Sequence, residues 1–157
     1  VVNVTGPWLD DVFLGTHAGQ RRWIGGTKGT HLVVPTFPGA PKEAMYYESD
    51  DGRPMMVLPW LGRIMIGSTD VRFSGDLDTV SADEDDLDYI LYETRKVFPN
   101  CGLTKDAIEF WYTGVRPLPY VDAETTADIS RRHEVVAHGP QADGLVPEPV
   151  EFTNGDF

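Results

Sequence analysis

The chain has 157 residues, a mass of 17.4 kDa and 41% hydrophobic side chains, the size and apolar content of one folded domain. Its 25 acidic and 13 basic residues leave a net charge of −12, which excludes polyanion binding by bulk charge. A few convergent cations can still hold a small anion, because distant carboxylates are screened by salt. The single Cys101 excludes an internal disulfide framework and a cysteine-based zinc site, and it fits a reducing compartment.

No apolar run approaches the roughly 18 residues that span a bilayer. The opening Val1-Val2-Asn3-Val4-Thr5 has neither a basic segment nor a cleavage signal, and without an initiator Met it is expected to be internal to a longer protein. Residues 1–5 are predicted as a short buried strand. Gly6-Pro7 then turns the chain into a helix from about Trp8 to Leu14, with Pro7 where its missing N–H costs nothing. Such a βα unit normally belongs to a parallel sheet, and no second unit follows, so its partner strands are expected outside this chain. A glycine-rich stretch with Arg21, Arg22 and Lys28 leads into a strand at 31–35.

Three strands are predicted at 44–48, 55–60 and 63–69, separated by Asp50-Asp51-Gly52-Arg53 and by a tight turn at Leu61-Gly62. They read as an antiparallel meander. Ser81 with Glu84 is predicted as a capping box, and behind it Leu87, Ile90, Leu91, Thr94, Val97 and Phe98 recur on one helical face up to Pro99. The acidic run 76–88 lacks the Gly and Glu spacing of a calcium loop and reads as a solvated face that also stabilises the helix start. Strands at 108–112, prolonged by 114–118, and at 133–137 complete the pattern, and a Pro- and Gly-rich tail from Gly139 is expected to be loosely held. The fold class is α+β: a mostly antiparallel sheet with one long helix packed on it, plus the remnant βα unit.

No Gly-x-Ser-x-Gly, His-Glu-x-x-His or Walker motif is present. The four histidines, His17, His31, His133 and His138, are spaced like surface or core residues rather than a metal set. Arg116 sits in an apolar strand-like stretch before Pro117, where a guanidinium is either a rigid fork for a carboxylate or phosphate ligand or the partner of an internal acid. The same alternatives apply to Arg131 at a strand entry. His31, at a strand mouth after Lys28-Gly29-Thr30, is either structural or a pocket residue.

Six strings occur in order: VVNVTGPW (1–8), KGTHLVVP (28–35), DGRPMMVLPW (51–60), IGSTD (66–70), LTKDAIEFWYTGVRPL (103–118) and SRRH (130–133). Together they resemble the middle of the FAD-dependent glycerol-3-phosphate dehydrogenases, respiratory flavoproteins of the D-amino-acid-oxidase superfamily, over residues 1–138. The resemblance implies that Thr5 and Gly6 end the last strand of an FAD-binding domain and lie near the cofactor. It implies that Arg116 and Arg131 bind the phosphate of glycerol 3-phosphate, and that His31 is a catalytic histidine near the reacting hydroxyl. It divides the chain into 1–18, a remnant of the FAD-binding domain, 19–138, a substrate-binding or cap domain, and the tail 139–157. The parent enzyme would transfer hydride from C2 of glycerol 3-phosphate to flavin N5, giving dihydroxyacetone phosphate, and pass electrons to quinone. It would be cytoplasmic, attached peripherally to the inner membrane face.

The resemblance has gaps. The amino-terminal Gly-x-Gly-x-x-Gly that seats the FAD diphosphate and the later Gly-Gly-Lys segment are missing, so the isolated chain is expected to bind no FAD and to be inactive. Two other readings are a glycerophosphate oxidase, distinguished by peroxide production under air, and a stand-alone binding or interaction domain.

Overall fold

The computed structural model describes residues 2–14, 22–122, 126, 129–132 and 135–136. Strand β1 (Thr27–Pro35) is the centre of one antiparallel sheet with β2 (Met45–Glu48), β3 (Pro54–Trp60), β4 (Arg63–Gly67), β5 (Val71–Arg72) and β6 (Phe110–Arg116). One edge of β1 pairs with β4 and then β5, the other with β6, while β2 and β3 extend the sheet beyond β4. The β3–β4 hairpin turns on two residues, Leu61 and Gly62, both at positive φ (49° and 76°), the backbone twist that matches a two-residue hairpin.

Alternation along β1 sorts its side chains. Leu32 and Val34 point to the face covered by the helix α2 (Glu84–Val97), where they pack with Val57, Ile64, Ile66, Ile90, Leu91 and Leu103 in the main core. Burial of each such aliphatic side chain contributes about 1.5–3 kcal/mol. On the same face Lys28 and Thr30 reach the helix start. Lys28 Nζ lies 2.5 Å from Asp83 Oδ2 and 2.8 Å from Asp86 Oδ2, and the Thr30 hydroxyl donates to Asp86 Oδ2 at 3.0 Å. Burial pulls the Lys28 ammonium down, but its hydrogen bonds to Asp83 and Asp86 outweigh this and the net shift is upward.

These contacts relocate the helix start. The capping box joins Asp83 and Asp86, each accepting the other's backbone N–H, rather than Ser81 and Glu84. Asp86 is already fixed by two β1 side chains, so the first turn forms around it. Asp86 is therefore buried and ion-paired, which corrects the reading of the whole 76–88 run as a solvated face. At the other end Pro99 follows the cap residue Phe98, whose N–H still bonds the Thr94 carbonyl at 2.9 Å.

The strand predicted at 63–69 stops at Gly67. His31 stands opposite Gly67 and Lys28 opposite Val71, so four steps along β4–β5 answer three along β1. The extra residue is a bulge at 68–70. Thr69 bridges the interruption, its hydroxyl accepting the Thr30 N–H at 2.9 Å.

Of the opening strand predicted at 1–5, whose partner strands are expected outside this chain, residues 2–5 are described. Residues 2–5 belong to no strand, and Val2 and Val4 are exposed, because β-branched residues favour a strand only where partners pack on it. The chain continues as a 3-10 turn, Gly6–Trp8, and a short helix α1 (Leu9–Val12). Of the strand predicted at 133–137, only Val135 and Val136 are described, and both are exposed and outside any strand. The predicted tail lies outside the described residues.

The Lys28 site gives a stability test. Its side chain is 8% exposed and that of Asp86 2%, so Lys28→Ala leaves a buried carboxylate without its cation. The expected loss is about 3–5 kcal/mol, read as a lower denaturant midpoint. Lys28→Met with Asp86→Leu is expected to recover part of it.

Candidate functional site

The face of β1 opposite α2 carries the polar chemistry. Thr27, Gly29 and His31 pair there with Arg116, Gly114 and Tyr112 of β6. Close approach explains two of the glycines. A Cβ on Gly29 would lie 2.3 Å from both terminal nitrogens of Arg116, and one on Gly67 would lie 2.4 Å from Cδ2 of His31. Any side chain at either position would displace the group above it.

His31 is held on both sides. Its ring covers Gly67 of β4 and stacks on Tyr112 of β6, with centroids 4.8 Å apart and planes 8° apart. The Tyr112 hydroxyl donates to Met65 Sδ at 3.2 Å, which fixes that ring in turn. Nδ1 of His31 is buried without a hydrogen-bond partner among the described residues. Burial, and after it the charge of Arg116, lowers the imidazole pKa from its ordinary 6.5, so the ring is neutral at pH 7 and able to accept a proton.

Arg116 is seated by the bulge. Nη1 donates to Asp70 Oδ1 at 3.1 Å and to the Thr69 carbonyl at 3.3 Å, and Nη2 donates to Ser68 Oγ at 2.6 Å. Arg131 Nη2 donates to the other oxygen of the same carboxylate, Asp70 Oδ2, at 3.0 Å. The internal ion pair weighed for each arginine is thus present, but the two share one acid. Burial pulls the Arg116 guanidinium below its ordinary value; the Asp70 carboxylate opposes this and nearby Arg131 adds to it. The cluster of Arg116, Arg131 and Asp70 carries a net charge of +1 in a chain of −12.

The structure therefore brings His31, Arg116 and Arg131 to one region, and adds Asp70, Ser68 and Tyr112, which sequence reasoning did not single out. Ser68 and Asp70 lie in the IGSTD string, but only the bulge turns them toward Arg116. Thr5 and Gly6 are placed elsewhere. The N–H and hydroxyl of Thr5 both donate to Asn3 Oδ1, and the adjoining Pro7 borders a cavity of about 140 Å³ on the Val115 side of β6, lined also by Asp10, Asp11 and Arg22. Of the other histidines, His17, His133 and His138 lie outside the described residues.

Residues 1–148 match the family of FAD dependent oxidoreductases. The chain belongs to that family. Among relatives of the chain, a glycerol-3-phosphate dehydrogenase of Synechocystis is 47% identical over an alignment of 146 residues that covers 88% of the chain and 26% of the relative. An aerobic glycerol-3-phosphate dehydrogenase of Staphylococcus aureus is 32% identical over 136 residues, 86% of the chain and 24% of the relative. The crystal structure of the glycerol-3-phosphate dehydrogenase from Bacillus halodurans complexed with FAD is similar with a TM-score of 0.63 and 32% identity, covering 74% of the chain and 24% of that structure. The chain thus spans about a quarter of the length of these relatives.

The family's cofactor can be tested against the residues near Thr5 and Gly6. A diphosphate needs clustered N–H donors. Here the N–H groups of Trp23 and Ile24 already donate to the Asp10 carboxylate, at 3.0 and 3.1 Å, and Asp11 adds a second acid beside it. The backbones of Trp23 and Ile24 thus offer no free N–H donors to a diphosphate, whose glycine-rich seat is absent from this sequence. What fits a ligand is the opposite face, where a net cation stands beside a neutral imidazole and a Cβ on Gly114 would meet nothing within 4 Å.

The imidazole gives a pH test. Folding buries the neutral ring, so its contribution to stability is complete above pH 6.5 and is lost as the pH falls through the lowered folded value. The His31 resonance, followed by NMR, is expected to titrate below 6.5. Arg116→Gln removes the second cause of the shift and should move the titration upward.

Proposed function

We propose that the chain is the substrate-binding portion of an FAD-dependent glycerol-3-phosphate dehydrogenase, with residues 19–138 as that domain and 1–18 as the edge of the FAD-binding domain. The observation that carries this reading is the pair Arg116 and Arg131 on one shared carboxylate beside neutral His31. The names of the relatives supply the substrate, and the geometry supports the assignment of roles.

The two guanidiniums bind the phosphate of sn-glycerol 3-phosphate through charge-assisted hydrogen bonds. That anchor sets the distance of C2 from His31. Oxidation to dihydroxyacetone phosphate removes the C2 hydrogen with its electron pair and the proton of the C2 hydroxyl, forming the carbonyl. FAD, held by the remainder of the full-length enzyme, would supply the two-electron oxidant for this step. His31 takes the hydroxyl proton; its neutral state and the orientation fixed by Tyr112 suit it to act as that base. Transfer of the electrons to quinone, and peripheral attachment at the cytoplasmic membrane face, belong to the same reading. Among the described residues no helix is long and apolar enough to cross a membrane.

In the full-length enzyme Arg116→Ala should raise KM for glycerol 3-phosphate tenfold or more, since a charge-assisted contact of about 1.5–3 kcal/mol is lost. Arg116→Lys should recover only part, because an ammonium lacks the planar fork. Unchanged kinetics in the alanine variant would return Arg116 to a purely structural role. The chain alone, titrated with FAD, is expected to leave the flavin fluorescence unquenched; stoichiometric binding would place the cofactor site within these residues.

A further inference from the structure

Asp70 is the group on which both arginines converge, and nothing in the proposed reaction requires it. Its side chain is 12% exposed, and each carboxylate oxygen takes one guanidinium: Oδ1 that of Arg116, Oδ2 that of Arg131. Its backbone is anchored as well, the carbonyl accepting from the Thr126 hydroxyl at 3.3 Å. The arginines arrive from different places. Arg116 ends β6, whereas Arg131 lies outside regular structure with a side chain 54% exposed. Two like charges on separate segments repel, and a common counter-charge holds them at one spacing. Because a single acid serves both, one positive charge is left over for an incoming anion. A private acid for each arginine would cancel the attraction.

We propose that Asp70 is a positioning residue: it sets the spacing of Arg116 and Arg131 for a phosphate monoester and thereby determines the preference for a phosphorylated over an unphosphorylated polyol. The inference rests on the reading of Arg116 and Arg131 as phosphate ligands. It differs in sign from what a bystander carboxylate would do. Removing a negative charge beside an anion site, with no other consequence, tightens anion binding; removing a positioning acid weakens it despite the gain in net positive charge.

The test uses the full-length flavoenzyme with Asp70→Asn, which keeps the shape and removes the charge. KM for glycerol 3-phosphate is expected to rise about tenfold with kcat changed less than about twofold, and the ratio of kcat/KM for glycerol 3-phosphate over glycerol to fall by the same factor. Calorimetric titration of the oxidised enzyme with inorganic phosphate should show a parallel loss of affinity, a readout independent of turnover. Asp70→Glu retains the charge but moves it by one methylene, and is expected to fall between the wild type and the Asn variant. Equal or tighter phosphate binding in the Asn variant overturns the proposal, as does a fall in kcat and flavin content with KM unmoved. If the Asn variant does not fold, a Glu variant with wild-type KM and phosphate affinity overturns it equally. A wild-type enzyme that neither binds phosphate nor oxidises glycerol 3-phosphate overturns the functional reading itself, before any variant is compared.

Discussion

Strand β1 is hydrogen-bonded along both edges, to β4 and β5 on one and to β6 on the other, so the facing of its side chains is fixed along its length. Everything else follows from that sorting. Lys28, Thr30, Leu32 and Val34 meet the helix and the core; Gly29 and His31 meet Arg116 and Tyr112. Stability and chemistry are carried by alternate residues of one strand. A change at Thr30 therefore acts on the helix anchor, and a change at Gly29, its immediate neighbour, acts on the arginine across the sheet.

The two faces handle charge in opposite ways. On the helix side one lysine meets two acids, Asp83 and Asp86, in a cluster left with net negative charge at the positive end of α2, where the helix dipole favours it. On the other side two arginines meet one acid, leaving net positive charge beside a neutral imidazole. The strongly acidic surface of the chain is compatible with an anionic ligand because the cation excess is confined to a half-buried cluster, acting at hydrogen-bond distance.

Much of this was legible in the sequence. The meander was readable from its turn residues, since Asp-Gly and Leu-Gly between apolar runs leave few alternatives, and its strands lie within a few residues of the expected bounds. Arg116 and His31 were identifiable as candidates from their positions in strand-like segments. The errors arose where tertiary partners overrule local preference. Ser81 and Glu84 have the spacing of a capping box, but Lys28 and Thr30, more than fifty residues away, fix the helix start at Asp83. The apolar opening residues have high strand propensity, but among the described residues no strand pairs with them. Asp70 was invisible as a functional group because a carboxylate in a loop-like string has no periodicity, and its role appears only once two distant arginines are brought to it.

The bulge at 68–70 has a consequence for how this region tolerates insertions and deletions. Had β4 run on in register from the His31–Gly67 pair, Asp70 would stand opposite Lys28, on the helix side of the sheet. One additional residue hands the carboxylate to the other face. The same side chain would otherwise have been a third acid for Lys28, and the two arginines would have been left without a common partner. Deleting Ser68 or Thr69 would remove the bulge with Val71 still opposite Lys28 and would leave Asp70 opposite Gly29, on the arginine side, so the carboxylate keeps its face only while the extra residue is looped out or absent, and the length of this segment, as much as its composition, is a determinant of what the sheet can bind.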